Sequence, residues 1–249
     1  MDQPDPLQRN RLSADEVARY ERDGFLQIHR PILQPGKFEA LKSLFEELLE
    51  RYGSDDLDVP HFREPRLLDF LLDDEVLDLI EPLVGPDIGL WSSHFISKPP
   101  RTGKATPWHE DSAYWEDRVS TMAGIVTVWL AMDATDPENG SMGVIPGSHT
   151  AHASEYERIE PVGKVFDRQI KSGTIDEDKA VFFTLAPNQC SLHDARIIHG
   201  ARPTTSSRRR AGYTMRYFPT TSRIVPETNA EHAVWLARGR DRAGNRYAN

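Results

Sequence analysis

The chain of 249 residues is poor in cysteine and in long apolar runs. Its one cysteine, Cys190, excludes an intramolecular disulfide and is expected to be a small buried core residue. No apolar run is long enough to form a membrane-spanning helix, and residues 1–6 lack the basic and apolar segments of a signal peptide. We therefore predict a cytoplasmic protein that has no membrane partner.

Positive charge is also scarce, because 30 Lys and Arg residues stand against 39 Asp and Glu residues, which gives a net charge of −9. This balance disfavours a nucleic-acid partner. Basic residues cluster at 202–210 and 238–246, but Asp241 interrupts the second cluster, which is expected to be solvated surface. The chain has no internal repeat, and its 38% hydrophobic content can supply one buried core. We predict a single domain over residues 1–249.

Helical signals dominate residues 1–88, which we predict to form a helical buttress. Ser13 and Glu16 have the spacing of a capping box at the start of the first helix. Pro82 is expected to break the last apolar segment of this region. From apolar spacing and turn residues, the predicted elements are a helix ending at Gly24, a strand at 25–28, an amphipathic helix at 35–53 and one or two helices at 67–84.

After residue 88 the sequence changes to short β-rich runs separated by Gly, Pro and Asn. The candidate strands are residues 90–97, 125–132, 143–145, 180–185, 189–193 and 211–218. They predict a mainly β fold with flanking helices, a double-stranded β-helix (jelly roll, cupin-like) over 89–220 with the N-terminal helices packed on one sheet. Residues 221–249 would be a C-terminal extension. Asn139 and Gly140 are a hairpin turn signal between two of the runs.

Residues 150–179 carry many charges and little periodicity, which predicts a long loop with partial helix. Loops of this length are usually either functional or disordered. A lid over a functional site and a simple surface excursion are therefore both open alternatives.

Side chains that can bind a metal are most concentrated in the segment Trp108-His109-Glu110-Asp111. On a strand, residues two apart point to the same face, so His109 and Asp111 can bind one metal ion together. His199 lies 90 positions after His109, a separation that a barrel can close by placing distant strands side by side. Two imidazoles and one carboxylate form the facial triad of non-haem Fe(II) oxygenases. Taken alone, a His-x-Asp pair is also compatible with a simple hydrogen-bonded pair.

A series of motifs in fixed order makes the pattern more specific. They are WHED at 108–111, VWLAMD at 128–133, ENGS at 138–141, VIPGSH at 144–149, LHDARIIHG at 192–200 and RRAGY at 209–213. With RDGF at 22–25, this series resembles the phytanoyl-CoA dioxygenase family of Fe(II)- and 2-oxoglutarate-dependent oxygenases. The resemblance spans nearly the whole chain.

The resemblance implies a role for each matching residue. His109, Asp111 and His199 would be the iron ligands, and Arg210 would bind the C5 carboxylate of 2-oxoglutarate as a bidentate guanidinium partner. The implied cofactors are Fe(II), 2-oxoglutarate as co-substrate and dioxygen. By strand alternation Arg208 would lie on the same side as Arg210, so either arginine could face the co-substrate.

Other candidates line the expected pocket. His94 and Lys98 share a strand face with two other residues and are candidate substrate contacts, although a solvent-facing edge is an alternative. Thr127 and Trp129 also share a face and are candidates for the wall of the 2-oxoglutarate pocket, with core packing as the alternative for Trp129. The remaining candidate substrate contacts are Trp108, Tyr114, Trp115 and Arg202.

These expectations predict an enzyme that hydroxylates an unactivated C–H bond of a small-molecule metabolite. Halogenases related to the family replace the carboxylate ligand with a small residue to admit chloride, so the presence of Asp111 favours hydroxylation. The alternative is a non-catalytic jelly-roll module that binds a small molecule or a structural metal. His193 is expected to lie outside the metal triad. The substrate and the oligomeric state are not selected by any motif.

Overall fold

Most strands in the computed structural model, which describes residues 10–151 and 153–248, form two antiparallel sheets. The larger sheet has the order β1 (Phe25–Ile28), β9 (Cys190–Asp194), β4 (Val126–Ala131), β11 (Arg210–Pro219), β2 (Ile88–Lys98) and β12 (Trp235–Arg238). The smaller sheet has the order β3 (Thr106–His109), β10 (His199–Ala201), β5 (Met142–Val144) and β8 (Val181–Phe182). Two facing antiparallel sheets confirm the predicted jelly roll. Residues 1–6, whose sequence lacks a signal-peptide pattern, lie outside the described residues.

Strand β11 separates core packing from chemistry by alternation. One face contributes to the main hydrophobic core through Ala211, Tyr213, Met215 and Tyr217. The other face points toward the smaller sheet and carries Arg210, Gly212, Thr214 and Arg216. Gly212 lies against the indole of Trp129, where an added Cβ would come within 2.1 Å of a ring atom. On this inner face, the indole of Trp129 therefore fills the space beside Gly212.

The N-terminal helices cover the outer face of the larger sheet, as predicted. They are α1 (Ala14–Asp23), α2 (Pro35–Tyr52), α3 (Leu68–Leu71) and α4 (Asp74–Val84). Phe45 of α2 packs on Phe95 of β2 at a ring separation of 4.9 Å, and Phe95 stacks on Tyr213 at 3.9 Å. Each fully buried side chain of this size contributes about 1.5–3 kcal/mol relative to an exposed one. This packing fixes the sheet that carries the site.

Helix boundaries follow the predicted caps with one correction. The Ser13 capping box and the end of α1 at Gly24 are confirmed. The break predicted at Pro82 is wrong, because Pro82 lies inside α4 and the chain breaks instead before Asp73. The Asp73 side chain accepts from the backbone N–H of Glu75 and so starts a new helix. In the last turn of α4, Pro82 removes only one helical donor, which the helix tolerates.

Two connections differ from their sequence-based predictions. Asn139 ends a 3₁₀ turn, Pro137–Asn139, that links β4 of the larger sheet to β5 of the smaller sheet, so the predicted hairpin is wrong. Asp136 caps this turn and redirects the chain. Residues 221–248 contribute to the sheet architecture as well, because β12 pairs with β2 at one edge of the larger sheet.

The segment 150–179 folds into an arm rather than a loop with α-helix. Strands β6 (Tyr156–Arg158) and β7 (Arg168–Ile170) pair as an antiparallel hairpin, followed by a 3₁₀ turn, Glu177–Lys179. Residue 152 lies outside the described residues. We call residues 153–170 the hairpin arm. Within the described part of the chain, no helix combines the length and the apolarity that a membrane span requires.

Candidate metal centre

Three buried side chains meet between the two sheets. His109 ends β3 and is paired directly with His199 at the start of β10, and their ring centres are 4.1 Å apart. Oδ1 of Asp111 lies 3.8 Å from Nε2 of each histidine. The potential ligand atoms of the three residues all lie within 4.8 Å of one another. Two imidazole nitrogens and one carboxylate oxygen therefore converge on a single point.

The way in which Asp111 reaches this point differs from the prediction. His109 is the last residue of β3, and Asp111 has helical dihedral angles, φ −58° and ψ −36°, at the start of helix α5 (Ser112–Trp115). The premise that both residues share a strand face is therefore wrong. The turn from strand to helix, instead of strand alternation, brings the carboxylate beside the imidazole.

Both imidazoles are oriented by backbone carbonyls. Nδ1 of His109 lies 2.8 Å from the carbonyl oxygen of Pro107, and Nδ1 of His199 lies 3.0 Å from that of Ile197. A carbonyl accepts only from a protonated nitrogen, so each ring carries its hydrogen on Nδ1 and turns the Nε2 lone pair toward Asp111. This arrangement is typical of metal-binding histidines. The donor set therefore fits a divalent transition metal.

The charge states suit metal binding. Burial, together with the neighbouring His199 ring, lowers the pKa of His109 to about 3, so this imidazole is neutral at pH 7. Burial alone would raise the pKa of Asp111, but the guanidinium of Arg216 and the neighbouring imidazoles outweigh it and hold that pKa well below its usual range. Nε of Arg216 donates to Oδ2 of Asp111 at 3.3 Å. Oδ1 remains directed at the histidines.

A cavity of about 690 Å³ extends from the triad along the inner face of β2 and β11. Arg210 lies in its wall with an exposed fraction of 2%. Its Nε donates to the carbonyl of Gly140 at 3.1 Å, and its guanidinium lies 4.9 Å from the ring centre of Trp129. Among the described residues its buried Nη1 has no hydrogen-bond partner. A buried cation with a free donor fits an anionic ligand.

Lys98 is the register partner of Arg210 and lines the same cavity. Its Nζ donates to the carbonyl of Arg202 at 2.9 Å. Burial and the adjacent Arg210 lower the pKa of Lys98 to about 6. At pH 7 this end of the cavity therefore holds the cationic Arg210 beside a lysine amine that is largely neutral.

The three consecutive arginines, Arg208 to Arg210, have different partners in the structure. Arg208 is exposed and pairs with Asp136 at 2.7 Å, and Arg209 pairs with Asp133 at 2.7 Å. Only Arg210 of the three lines the cavity. Because β11 begins at Arg210, strand alternation does not extend back to Arg208.

A second cavity of about 220 Å³ borders His109 and Asp111 of the triad. Its walls include Tyr114 and Trp115, and His94 lines both cavities. Burial lowers the pKa of His94 to about 4. The two cavities share the residues His94, His109, Asp111, Phe166 and Arg216.

Three predicted residues do not line either cavity. Trp108 points away from His109 and lies 6.4 Å from the ring of Phe182. The guanidinium of Arg202 lies 4.3 Å from the same ring. Thr127 is fully buried on the inner face of β4, in register with His193 and Arg216, and does not itself line the cavity. His193 lines the larger cavity, 5.1 Å from the His199 ring, and is not part of the convergent donor group.

Several lining residues were not identified from the sequence. Arg216 has the same strand parity as Arg210, and that signal was available. Phe166 comes from the hairpin arm and lies 5.0 Å from the His109 ring. Arg118 and His232 enter the smaller cavity from irregular segments. No periodicity marks these last three residues.

A sequence model described as phytanoyl-CoA dioxygenase (PhyH) matches residues 20–212. A protein of Stutzerimonas stutzeri described as a probable alpha-ketoglutarate-dependent hypophosphite dioxygenase is 26% identical over 80% of this chain and 69% of its own length. The peroxisomal phytanoyl-CoA dioxygenase of Bos taurus is 31% identical over 78% of this chain and 58% of its own length. The chain thus spans little more than half of the bovine protein.

Solved structures show the same fold. The non-heme monooxygenase ThoJ superposes with a TM-score of 0.76 at 22% identity, covering 94% of this chain and 88% of its own. The non-heme alpha-ketoglutarate-dependent carbocyclase SnoK superposes with a TM-score of 0.70 at 21% identity, covering 90% of each chain.

Proposed function

This chain belongs to the phytanoyl-CoA dioxygenase family of Fe(II)- and 2-oxoglutarate-dependent oxygenases, and from that premise we propose that it hydroxylates an unactivated C–H bond of a small-molecule metabolite. The main support for this proposal is the convergence of His109, Asp111 and His199, whose potential ligand atoms all lie within 4.8 Å of one another. These three residues would hold Fe(II). When bound, Fe(II) with 2-oxoglutarate and dioxygen supplies the oxidising chemistry of the reaction.

The protein's own contribution begins with co-substrate binding. In the proposal, Arg210 binds the C5 carboxylate of 2-oxoglutarate through its free Nη donor, and Lys98 adds a second positive charge. Trp129 packs against the guanidinium and fixes its plane. Thr127 lies buried between His193 and Arg216 on the same face of the sheet and does not reach the cavity. Together these residues would orient the co-substrate along β11 toward the triad.

The choice of hydroxylation rests on the ligand set and on the exclusion of water. Asp111 supplies a carboxylate where a halogenating site needs space for chloride, and Arg216 holds that carboxylate in position. Phe166 and Tyr114 pack near His109 and keep its surroundings apolar. His94, Tyr114 and Trp115 are the proposed substrate contacts that line a cavity. Carbocyclisation, the reaction named for SnoK, is the competing outcome.

Mixing the protein with Fe(II) and 2-oxoglutarate without oxygen tests the cofactor assignment. We expect a visible charge-transfer absorption band, because the co-substrate would chelate iron at the triad. His109→Ala should lose the band, whereas His29→Ala, at an exposed histidine, should keep it. Folded, iron-loaded protein without a band would contradict the assignment.

Product analysis then tests hydroxylation. With oxygen and a panel of small metabolites, we expect succinate release coupled to a product heavier by one oxygen atom. A product that has only lost hydrogen would exclude hydroxylation and favour cyclisation or desaturation. No succinate with any substrate would favour the non-catalytic jelly-roll alternative. The cytoplasmic location stays a prediction of the sequence.

A further inference from the structure

The smaller cavity contains two arginines whose terminal nitrogens are unpaired. Nε of Arg118 donates to Oδ1 of Asn229 at 2.9 Å, and Nε of Arg216 donates to Oδ2 of Asp111 at 3.3 Å. Within the described residues, the Nη atoms of both guanidinium groups form no hydrogen bond or ion pair. Two guanidinium groups held through Nε therefore present free donors to the cavity.

Aromatic rings hold these guanidinium groups in place. Arg118 lies 4.9 Å from the ring centre of Trp91, and Arg216 lies 5.3 Å from that of Trp115. The two indoles are 6.1 Å apart in an edge-to-face arrangement, and His232 packs on Trp91 at 4.3 Å. The cavity thus combines restrained positive charge with apolar walls.

Two carboxylates also line this cavity, and among the described residues neither binds the Nη atoms of the two arginines. Its two carboxylates are Asp111, a proposed iron ligand, and Asp58, whose side chain is 73% exposed and lies 3.6 Å from Nδ1 of His94. Asp58 attracts Arg118 at longer range but forms no ion pair with it. The arginines and carboxylates that line the cavity balance in number, and a divalent metal held by Asp111 would give the cavity a positive net charge.

We propose that the smaller cavity binds the substrate and that the substrate is a compact oxyanion, a carboxylate or a phosphonate, held by Arg118 and Arg216. Its apolar part would lie against Trp91 and Trp115, which pack on each other and line one wall of the cavity. This inference rests on the proposed function, because the cavity borders His109 and Asp111 and so brings a bound carbon beside the iron. Arg118 lines only this cavity and Arg210 only the larger one, so substrate and co-substrate would each have one cation of their own, while Arg216 lines both cavities.

The cavity volume limits the size of the apolar part. An apolar protein cavity of about 150 Å³ holds one benzene molecule. The 220 Å³ found here therefore accommodates a body slightly larger than one six-membered ring together with its anionic group. This size defines suitable probes, which are phenylacetate, benzylphosphonate and the uncharged analogue phenylacetamide.

Calorimetry with these probes tests the proposal. Protein with Fe(II) and saturating 2-oxoglutarate is titrated without oxygen, so that the probes cannot occupy the Arg210 site. We expect phenylacetate or benzylphosphonate to bind at least about tenfold more tightly than phenylacetamide, because only the anions pair with the guanidinium groups. Their relative affinity assigns the anionic group.

Variants of Arg118 give the second arm. Arg118→Gln should weaken oxyanion binding by about tenfold or more, and Arg118→Lys should retain part of it, because lysine keeps the charge without the planar fork. Arg19→Gln, at an exposed arginine of α1, is the matched control and should bind as the parent protein does. The unfolding temperature of each variant is recorded with the titration.

Three outcomes would overturn the inference: equal binding of phenylacetamide, no binding of either oxyanion, or unchanged affinity in folded Arg118→Gln. If Arg118→Gln does not fold, the comparison of probes on the parent protein and on Arg118→Lys decides. A missing charge-transfer band with oxyanion binding that still depends on Arg118 would reject the proposed function and keep this site. A normal band without such binding would reject this site and keep the function.

Discussion

Lys98 and Arg210 form a buried pair of cationic side chains at the end of the larger cavity. Like charges that are register partners on adjacent strands repel one another, and burial adds to the cost. The lowered pKa of Lys98, about 6, records this cost, because the amine loses its proton instead of remaining charged beside Arg210. An anion between them would reverse the balance and restore the charge of Lys98.

We therefore predict that 2-oxoglutarate binding takes up a proton above pH 6. The free protein holds Lys98 largely neutral there, and the bound dianion favours the charged amine. Calorimetry near pH 8 in buffers of different ionisation enthalpy should show an uptake approaching one proton, and the affinity should fall as the pH rises from 6 to 9. Lys98→Met should abolish the uptake, whereas Lys179→Met, at an exposed lysine, should not.

The same linkage predicts the stability of Lys98→Met. In the unfolded chain Lys98 titrates near its ordinary pKa of about 10.4, whereas its pKa in the folded protein is about 6. Between pH 6 and that ordinary value, the unfolded state therefore binds one more proton than the folded state. The buried amine therefore lowers stability increasingly as pH falls through this window, and fully below pH 6. The methionine variant should unfold at the same or a higher temperature at neutral pH. A lower unfolding temperature would show that the contact of Nζ with Arg202 dominates.

The three convergent residues were found from the sequence because they lie in two of the ordered motifs, WHED and LHDARIIHG. Arg118 and Phe166 could not be found in this way, since they enter from irregular or hairpin segments that show no period. Arg216 could have been found by counting six positions along the strand from Arg210. The motifs thus contain the three residues that converge, but they also contain Trp108, which lines neither cavity, and the residues placed by tertiary packing carry no comparable signal.

At the scale of elements, the hairpin arm is joined to the metal centre through Glu110. The buried carboxylate of Glu110 accepts from the backbone N–H of Ser154 at 3.2 Å and from its hydroxyl at 3.1 Å. The backbone N–H of Glu110 donates to the hydroxyl of Tyr156 at 2.9 Å. Glu110 lies between His109 and Asp111 in the sequence, so the arm is held against the turn that positions both side chains.

We predict that Glu110→Ala loosens the hairpin arm. Loss of two hydrogen bonds to a buried carboxylate should speed amide exchange in residues 154–158 by roughly tenfold, with little change in the strands of the larger sheet. Hydrogen exchange followed by mass spectrometry provides the measurement. Ser154→Ala should give a smaller effect, and Glu177→Ala, at an exposed position, should give none. Unchanged exchange in Glu110→Ala would show that other contacts hold the arm.

The longest elements show the clearest period, although the short strands β1 and β5 were also predicted, from the turn residues around them. The amphipathic helix α2 and the long strands β2 and β11 contain enough residues for a period to be visible. Strands β3 and β10 have only four and three residues, too few to alternate recognisably, although they carry two members of the triad. The break in the last helical segment was misplaced because the capping aspartate outweighs a proline in the final turn.

At the scale of the whole molecule, the triad brings together side chains from segments that are distant in the chain. His109 and His199 belong to adjacent strands of the smaller sheet, and Asp111 begins the following helix. A metal that binds all three residues binds the folded state only, because the unfolded chain does not bring them together.

Metal binding should therefore raise the unfolding temperature of the whole domain. At a free metal concentration one hundred times the dissociation constant, the stabilisation is about 2.7 kcal/mol, which for a chain of this length corresponds to a rise of roughly 5–10 °C. Differential scanning calorimetry with Mn(II) and with EDTA measures the effect. His199→Ala should lose most of it, and His29→Ala should retain it. An equal rise in both variants would indicate binding elsewhere.

Strand β11 also limits how this protein can evolve. Its two faces serve different purposes at successive positions, with the apolar core on one side and the cations of both cavities on the other. A one-residue insertion or deletion within the strand would exchange the faces, placing arginines in the core and tyrosines in the cavity. Its length is therefore far less free to vary than its individual residues, so new specificities would arise by substitution here and by changes of length only in the loops.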